Sequence, residues 1–508
     1  MIGEAAVLTN TVVATLAAEG YRVRQVIPGR GLRRLSAHRY EAELATPEAV
    51  RELHQVLRSA EETLVGGVLN CLGLCQPSCG AACDAEASVK VAEWTFNVTR
   101  EFAEDLRASA RQGGGWFINL TGLGGRFGLG DRSGSVVAAG TLGISKTLKR
   151  EFPELCVKNV DVDLDLPAGL LCERLLQELQ DADDSLEVGL SRQGRWRPTL
   201  KEATVPTNLP PLAVEAGAVI LITGGASGVT ADVARGLAKH LKPYLILVGR
   251  SALPEPESPR TAGLDRAALR KSFLEDARRR GEPVRPAEIE RTVNRLLKDR
   301  SIRANLEACR AAGATVEYHA IDVRDAERLA RLIDEIYERF GRIDGVVHGA
   351  GVIEDRRIAD KALASFTNVF RTKVDSAWTL ARKLRPEGLK FVVFFGSVSG
   401  RFGNAGQVDY SAANEVLNKL AGDLRGRWPA RVVCINWGPW DGGMVSDGLR
   451  QLYATRGIGL IPVETGTEAF LTELRLGAGS GAEVVVTCSV EQMIAGARAE
   501  TVRSGATW

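Results

Sequence analysis

Ser397 and Tyr410 lie 13 positions apart, Tyr410 opens the run YSAAN that closes on Asn414, and Lys373 precedes the serine by 24. Reduction of a carbonyl by hydride needs residues of these types. An acid must protonate the nascent alkoxide, a donor must hold the carbonyl oxygen, and a cation must tune the acid. A free phenol titrates at ~10, and a nearby ammonium would stabilise the phenolate and lower that value. The spacing casts Tyr410 as the acid, Ser397 as donor to the carbonyl oxygen, and Lys373 as the tuning cation that also holds a ribose. Asn414 would bridge backbone and water in a proton relay.

A second set points to a dinucleotide. The apolar run AVILITGG leads into TGGASGVTADVARGLA at 223–238, with Thr230 where a third glycine often sits. Thr223, Gly224, Gly225, Ser227, Gly228 and Val229 form this turn. Glycine here lets the backbone approach a pyrophosphate, and the following helix offers it unpaired N–H groups. The next apolar run ends LVGRS, placing Arg250 and Ser251 where NAD binders carry an acid for the ribose 2′-hydroxyl. Arginine instead suits a 2′-phosphate, so NADPH is the expected cofactor. Asp322 and Val323 end a third run, where an adenine contact falls, and Gly349-Ala350-Gly351 ends a fourth.

These residues need a scaffold, and the pattern supplies one. Nearly continuous β-branched runs at 218–225, 244–250, 315–323, 344–351, 390–397, 431–438 and 483–488 alternate with helical stretches. Strands buried on both faces and separated by helices imply a parallel sheet wound on both sides. Proline-rich sequence at 203–216 reads as a linker before this unit. The first half reads as a worn copy of the second: FINLTGLGGRFGLGDRSG around Phe117 parallels VVFFGSVSGRFGNAGQVD around Val392. Alignment of the copies sets Val136 against Tyr410, Gly140 against Asn414 and Gly122 against Ser397, with Val98 near Lys373. VLTNTVVAT, with Thr9 and Asn10, stands where the glycine cradle would be. None of the chemistry survives there, so the first half is expected to bind neither cofactor nor substrate. The segment 254–303 carries 13 Lys+Arg against 9 Asp+Glu, and prolines at 283 and 286 divide it into two helices, read as a solvated hairpin.

TGGASGVT and the Ser397/Tyr410 spacing resemble the short-chain dehydrogenase/reductase superfamily. Most of its members place lysine four after the tyrosine and asparagine upstream; here Asn414 and Lys373 are exchanged. That exchange, with KVDSAW, SVSGRFGNAGQVDYSAAN and INWGPWDG, resembles the ketoreductase domains of type I polyketide synthases. The charged insertion is similar to that of polyunsaturated fatty-acid synthase ketoreductases. The resemblance implies an α/β protein of two tandem Rossmann-like doubly wound parallel sheets, the first degenerate. Residues 1–210 would be the structural subdomain, and 211–508 the catalytic, NADPH-binding one, with the insertion at 254–303. It further implies reduction of a β-ketoacyl thioester held on the phosphopantetheine arm of an acyl carrier protein, alongside other synthase domains. Asp355, Phe402, Gln407, Trp440 and Met444 would face the substrate, the stretch from Trp437 to Gly459 closing as a lid. Ile353-Glu354-Asp355 stands at a family L-D-D motif, and Phe402 replaces the tryptophan of the opposite stereochemical class. Both favour a 3R (D-hydroxy) product.

Composition narrows the alternatives. Lys+Arg 65 against Asp+Glu 63 leaves a net charge of +2, with no electrostatic ground for nucleic acid or an anionic membrane as partner. No run approaches the ~18 apolar residues of a spanning helix, and no signal peptide opens the chain, so a cytoplasmic protein is expected. Nine cysteines do not read as a disulfide framework. Cys71, Cys75, Cys79 and Cys83 lack the paired spacing of a zinc site and read as a small-residue loop, and the histidines form no ligand pattern, so no metal is expected. Asp184-Ser185-Leu186 resembles a carrier attachment motif but runs straight into a strand. No carrier, ketosynthase or acyltransferase motif is present, so an excised domain or a component acting in trans is expected. A free-standing short-chain alcohol dehydrogenase and a silent scaffold are the competing readings.

Overall fold

The computed structural model describes the chain apart from residues 4–6, 60–63, 75–83, 131–133, 182, 204, 282, 284, 443, 444, 446 and 490–508. In the first half, β1 (Gln25–Pro28), β2 (Arg33–Arg34) and β3 (Arg39–Ala42) form a small sheet ordered β1-β3-β2. The strands β4 (Gly67–Gly73), β5 (Trp116–Thr121), β6 (Cys156–Val162), β7 (Glu187–Ser191) and β8 (Gly194–Trp196) follow in sequential order, parallel except for the β7–β8 hairpin. Ile2 bridges both Val26 of β1 and Asn70 of β4, joining the two sheets. A full strand of a doubly wound sheet is here reduced to one residue.

The second half carries β9 (Val219–Thr223), β10 (Tyr244–Gly249), β11 (Thr315–Ala320), β12 (Gly345–His348), β13 (Phe391–Ser397), β14 (Arg431–Trp437) and β15 (Glu483–Val486). They lie in the order β11-β10-β9-β12-β13-β14-β15, all parallel. Every residue of β9, β12, β13 and β14 is buried, which is why these runs lack the alternation of a half-exposed strand. The strand order reverses beside β9, and such a switch point opens a crevice at the carboxyl ends of the strands. β9 lies between β10 and β12 as Ile2 lies between β1 and β4, so both halves are α/β and the first is the degenerate copy.

One expectation shifts. VLTNTVVAT belongs to the helix Val7–Ala18, so Thr9 and Asn10 lie inside a helix, and Ile2 is itself the vestigial strand. The valines and threonines of that helix are poor helix formers, and burial of Val12 and Leu16 in the core of that half overrides the propensity.

The halves meet through helices. Asp84–Ala110 and Ala139–Glu151 of the first pack on Leu363–Lys383 and Val408–Arg427 of the second. Backbones approach closely: a Cβ on Gly143 would fall 2.4 Å from the Ser411 carbonyl oxygen. Phe96 stacks on Phe366 with ring centres 4.5 Å apart. At the centre lies a buried network of three cations and three carboxylates. Lys146 reaches Glu187 at 2.9 Å and Glu415 at 3.1 Å, Arg401 pairs with Glu187 at 2.6 Å, and Lys419 with Glu483 at 2.6 Å. Balanced charge is what makes such burial tolerable.

The insertion forms helices Arg266–Arg279, capped by Asp265, and Pro286–Ala311, with proline in its first turn. The second runs on past the insertion's end at 303 and docks there: Ile302 and, beyond the insertion, Leu306 and Cys309 enter the core beside β10, and Asn305 Nδ2 donates to the Gly225 carbonyl oxygen at 3.0 Å. Among the described residues between Trp196 and Val219 there is no helix or strand.

Candidate active site

The glycine turn sits at the carboxyl end of β9. Gly224 has φ +75°, and a Cβ there would lie 2.8 Å from the Ala350 backbone nitrogen, so both conformation and space require glycine. Ser227 precedes the helix Gly228–Leu241 without capping it, which leaves the first N–H groups to face the crevice. Thr230 stands in place of a third glycine, and the space is recovered opposite: a Cβ on Gly349 would fall 2.3 Å from Thr230 Oγ1.

Gly224, Ser227, Arg250, Ser251, Asp322, Val323, Ala350 and Gly351 line one cleft. Thr223, Gly225, Gly228 and Val229 stand outside that lining and form the turn behind it. Thr223 is buried with its Oγ1 2.7 Å from His348 Nδ1, and Val229 packs against the core. The cleft also takes in Lys298 and Tyr318, which sequence patterns did not single out. Tyr318 donates to the Ser251 carbonyl oxygen at 2.7 Å. Lys298 comes from the insertion, whose charge run alone could not tell a wall from a solvated face.

The catalytic set converges below the cleft. Ser397 ends β13 and caps the short helix Val398–Phe402, and Tyr410 and Asn414 share one face of Val408–Arg427, one turn apart. Lys373, buried in Leu363–Lys383, donates from Nζ to the Phe395 carbonyl oxygen at 2.7 Å and lies 5.5 Å from the Tyr410 ring centre. Gly351 leaves room for its stem: a Cβ there would lie 2.9 Å from Lys373 Cε. Asn414 Nδ2 donates to the Tyr410 carbonyl oxygen at 2.7 Å, and its buried Oδ1 has no partner among the described residues.

The electrostatics correct one expectation. Burial pushes the Tyr410 phenol up to about 12, opposed by side-chain hydrogen bonds with Asn414 and Ser397 and reinforced by the Asp355 charge. Burial likewise lowers Lys373 to about 8. The ammonium is committed to a carbonyl oxygen, so desolvation outweighs it and the phenol rises rather than falls. His348, at the end of β12, is buried and pushed down to about 3, first by burial and then by Lys373. Its Nε2 faces the Lys373 carbonyl oxygen at 3.0 Å, so the neutral ring ties the Thr223 turn to the lysine helix. A lone histidine in a strand gave no signal of that link.

On the substrate side, Gln407 Nε2 donates to both oxygens of the exposed Asp355 at 3.1 Å. Phe402 is half-buried, its carbonyl oxygen accepting from Arg150 Nε at 3.0 Å. Trp440 does not face this side: it is buried edge-on against Trp437 at 5.0 Å, over Gly466, as a core residue. Its neighbours are apolar and the helix Val463–Arg475 covers it. Met444 lies outside the described residues. Tyr453, on the helix Asp447–Thr455, is close enough to Asp355 for that charge to help raise its pKa, after burial.

The family model described as "KR domain" matches residues 218–442. This stretch is a KR domain. It is a ketoreductase domain of the short-chain dehydrogenase/reductase type, the kind carried by polyketide and polyunsaturated fatty-acid synthases. The matched span of the KR domain holds the cleft, Lys373, Ser397, Tyr410 and Asn414. The chain is 30% identical over 387 residues to a polyunsaturated fatty acid synthase of Thraustochytrium sp., covering 73% of this chain and 14% of that protein. It is 30% identical over 289 residues to erythronolide synthase EryA2 of Saccharopolyspora erythraea, covering 56% of this chain and 6% of that one. This chain thus spans a small part of the length of these curated relatives. The solved N-terminal ketoreductase from a macrolactin assembly line shares the fold over 97% of this chain and 87% of its own, with TM-score 0.71 and 20% identity. The fold likeness therefore extends past the KR domain into the first half.

Among the described residues, no group of His, Cys, Asp or Glu is placed to hold a metal, and no helix is long and apolar enough to cross a membrane. Cys75, Cys79 and Cys83 lie outside the described residues. Ser185 is held by Asp183 at 2.7 Å and by Arg197 at 3.0 Å.

Proposed function

We propose that this chain reduces the β-keto group of an acyl thioester, held on the phosphopantetheine arm of an acyl carrier protein, to a 3R-hydroxyacyl thioester at the expense of NADPH. The observation that carries the reading is the convergence of Ser397, Tyr410, Asn414 and Lys373 beside a glycine-walled cleft.

The cleft fits the cofactor. Gly224, Ala350 and Gly351 wall it with little or no side chain, and the uncapped helix start at Gly228 presents N–H groups to a pyrophosphate. Arg250, with Ser251 and Lys298, gives a 2′-phosphate cationic partners, and Asp322, Val323 and Ala350 wall the adenine side. When bound, the nicotinamide supplies the hydride.

The chain's own residues do the rest. Ser397 holds the carbonyl oxygen. Tyr410, kept protonated by burial, is an acid throughout the neutral range and gives its proton to the oxygen as it becomes an alkoxide. Lys373, largely an ammonium below pH 8, stabilises the phenolate left behind and holds the ribose. Asn414 offers its unpartnered Oδ1 to a water of the proton relay. Asp355 and Gln407, joined to each other, border the substrate side, with Phe402 in place of a tryptophan.

Residues 1–210 are the structural subdomain in this reading and 211–508 the catalytic one. The matching positions in the first half, Val136, Gly140 and Gly122, carry no functional group. Other synthase domains are its working partners and the cytoplasm its compartment. The test is to supply an acetoacetyl or longer β-ketoacyl pantetheine thioester with NADPH and to identify the product by chiral chromatography. A 3R-hydroxyacyl thioester is expected. Absence of any hydroxyacyl product, with NADPH bound, would refute the reading.

A further inference from the structure

We propose that Glu151, from the half that carries no catalytic group, is a positioning residue that locks together the two loops on the substrate side of Tyr410, and thereby sets substrate affinity and the face of attack. The proposal rests on the reductase reading above and deepens it.

Glu151 ends the helix Ala139–Glu151 and is buried at 7% exposure. Its two oxygens serve two different loops. Oε2 accepts from the Ile358 backbone nitrogen at 2.9 Å, and Oε1 accepts from that of Gly406 at 2.8 Å. Ile358 closes the loop that carries Asp355; Gly406 immediately precedes Gln407. The loops are also stitched to each other, since Arg356 N donates to the Gly406 carbonyl oxygen at 2.8 Å and Gln407 holds both oxygens of Asp355. The carboxylate is thus the anchor from below for a pair already joined above.

Further struts come from the same half. Arg100 donates to the Lys361 carbonyl oxygen at 3.0 Å, and the buried Lys361 pairs with Asp409, whose carboxylate also accepts from the Tyr410 backbone nitrogen at 2.8 Å. Arg150 holds the carbonyl oxygen of Phe402. Of these anchors, only Glu151 touches both substrate-side loops with one side chain.

The choice of residue follows from the geometry. Two N–H groups arriving from separate loops require two acceptors on one rigid group, and charged acceptors bind them most strongly. Glutamine in the same place would turn an NH₂ towards one of those N–H groups, leaving it buried and unsatisfied. A loop freed in this way shifts the substrate relative to Ser397 and Tyr410, and a misplacement of ~1 Å can cost ~10²-fold in rate.

The experiment compares the full chain with its Glu151→Gln variant. Hydrogen exchange at the Ile358 and Gly406 amides, the Kd for NADPH, kinetics with a β-ketoacyl pantetheine thioester and the 3R:3S ratio are all measured. The expected result is that both amides are protected in the unaltered chain and that at least one loses about tenfold in protection in the variant. KM for the thioester should rise, and the 3R:3S ratio fall, by about tenfold, with the NADPH Kd within about twofold. A merely structural role would lower activity with the ratio unmoved. Turnover with unchanged KM and ratio in the variant would overturn the role of Glu151 while leaving the reductase reading intact. Amides in the unaltered chain exchanging as fast as exposed loops would do the same, without recourse to any variant. No turnover in the unaltered chain would overturn the reductase reading first, and this role with it.

Discussion

The ammonium of Lys373 lies 5.5 Å from the centre of the Tyr410 ring and is spent on the Phe395 carbonyl oxygen, 2.7 Å away. Burial holds the phenol near 12 and the lysine near 8, so it is the lysine, not the tyrosine, that titrates in the working range. Below pH 8 the lysine is mostly charged; above it the cation is lost while the phenol remains an acid. The log of kcat/KM should therefore fall on an alkaline limb near pH 8. Lys373→Arg, charged at every accessible pH, should displace that limb upward, whatever its absolute activity. A limb that stays in place would assign it to another group.

His348 gives a stability prediction. Its ring stays neutral in the folded chain down to about pH 3, whereas an unfolded histidine titrates near ~6.5. Between those values the unfolded chain binds a proton that the folded chain does not, so this contribution to stability is present above 6.5 and is lost as pH falls. From pH 6.5 to 5 the loss should be about 2 kcal/mol. Urea unfolding at both pH values should show that component in the unaltered chain and not in His348→Gln. Equal acid losses in the two would contradict a buried neutral ring.

Arg250 and Lys298 line the same cleft, one from the end of β10 and one from the insertion. Loss of one charged partner to a phosphate should lower the preference for NADPH over NADH by ~10–100-fold. Arg250→Gln and Lys298→Gln should each raise KM for NADPH and leave that for NADH nearly unchanged. Equal losses with both cofactors would show that neither reads the 2′-phosphate.

Lys146 contributes its charge to Glu187 in its own half and to Glu415 across the boundary between halves, with no exposure of its side chain. Its removal leaves buried carboxylates short of a cation. Lys146→Met should cost about 3–5 kcal/mol in unfolding free energy. A loss below about 1 kcal/mol would mean that the halves do not depend on this network.

Much of this is legible in the sequence because it rests on local rules. Continuous apolar runs mark the strands β9 to β15 within about two residues, the carboxyl ends of β11 and β12 excepted, and the central β9, β12, β13 and β14 read most cleanly because parallel strands covered on both faces leave few polar positions. The glycine turn and the Ser397–Tyr410–Asn414 spacing are readable because strand ends and helical turns fix where side chains point. What escapes is long-range. His348 reaches Thr223 across 125 positions, and Glu151 reaches Ile358 across 207. No periodicity encodes such contacts. Trp440 misleads for the opposite reason: an aromatic beside a motif reads as a substrate-facing group, and the helix Val463–Arg475 folds over it. The direction of the phenol's shift is hidden because a nearby charge is visible in sequence and desolvation is not.

The most direct measurement is the rate of NADPH oxidation driven by a β-ketoacyl pantetheine thioester, compared between the unaltered chain and Tyr410→Phe. With Tyr410 as the acid, the variant should bind NADPH with unchanged affinity and lose ~10²–10⁴-fold in kcat. Turnover by Tyr410→Phe at the unaltered rate, or thioester-independent oxidation in both, would contradict it.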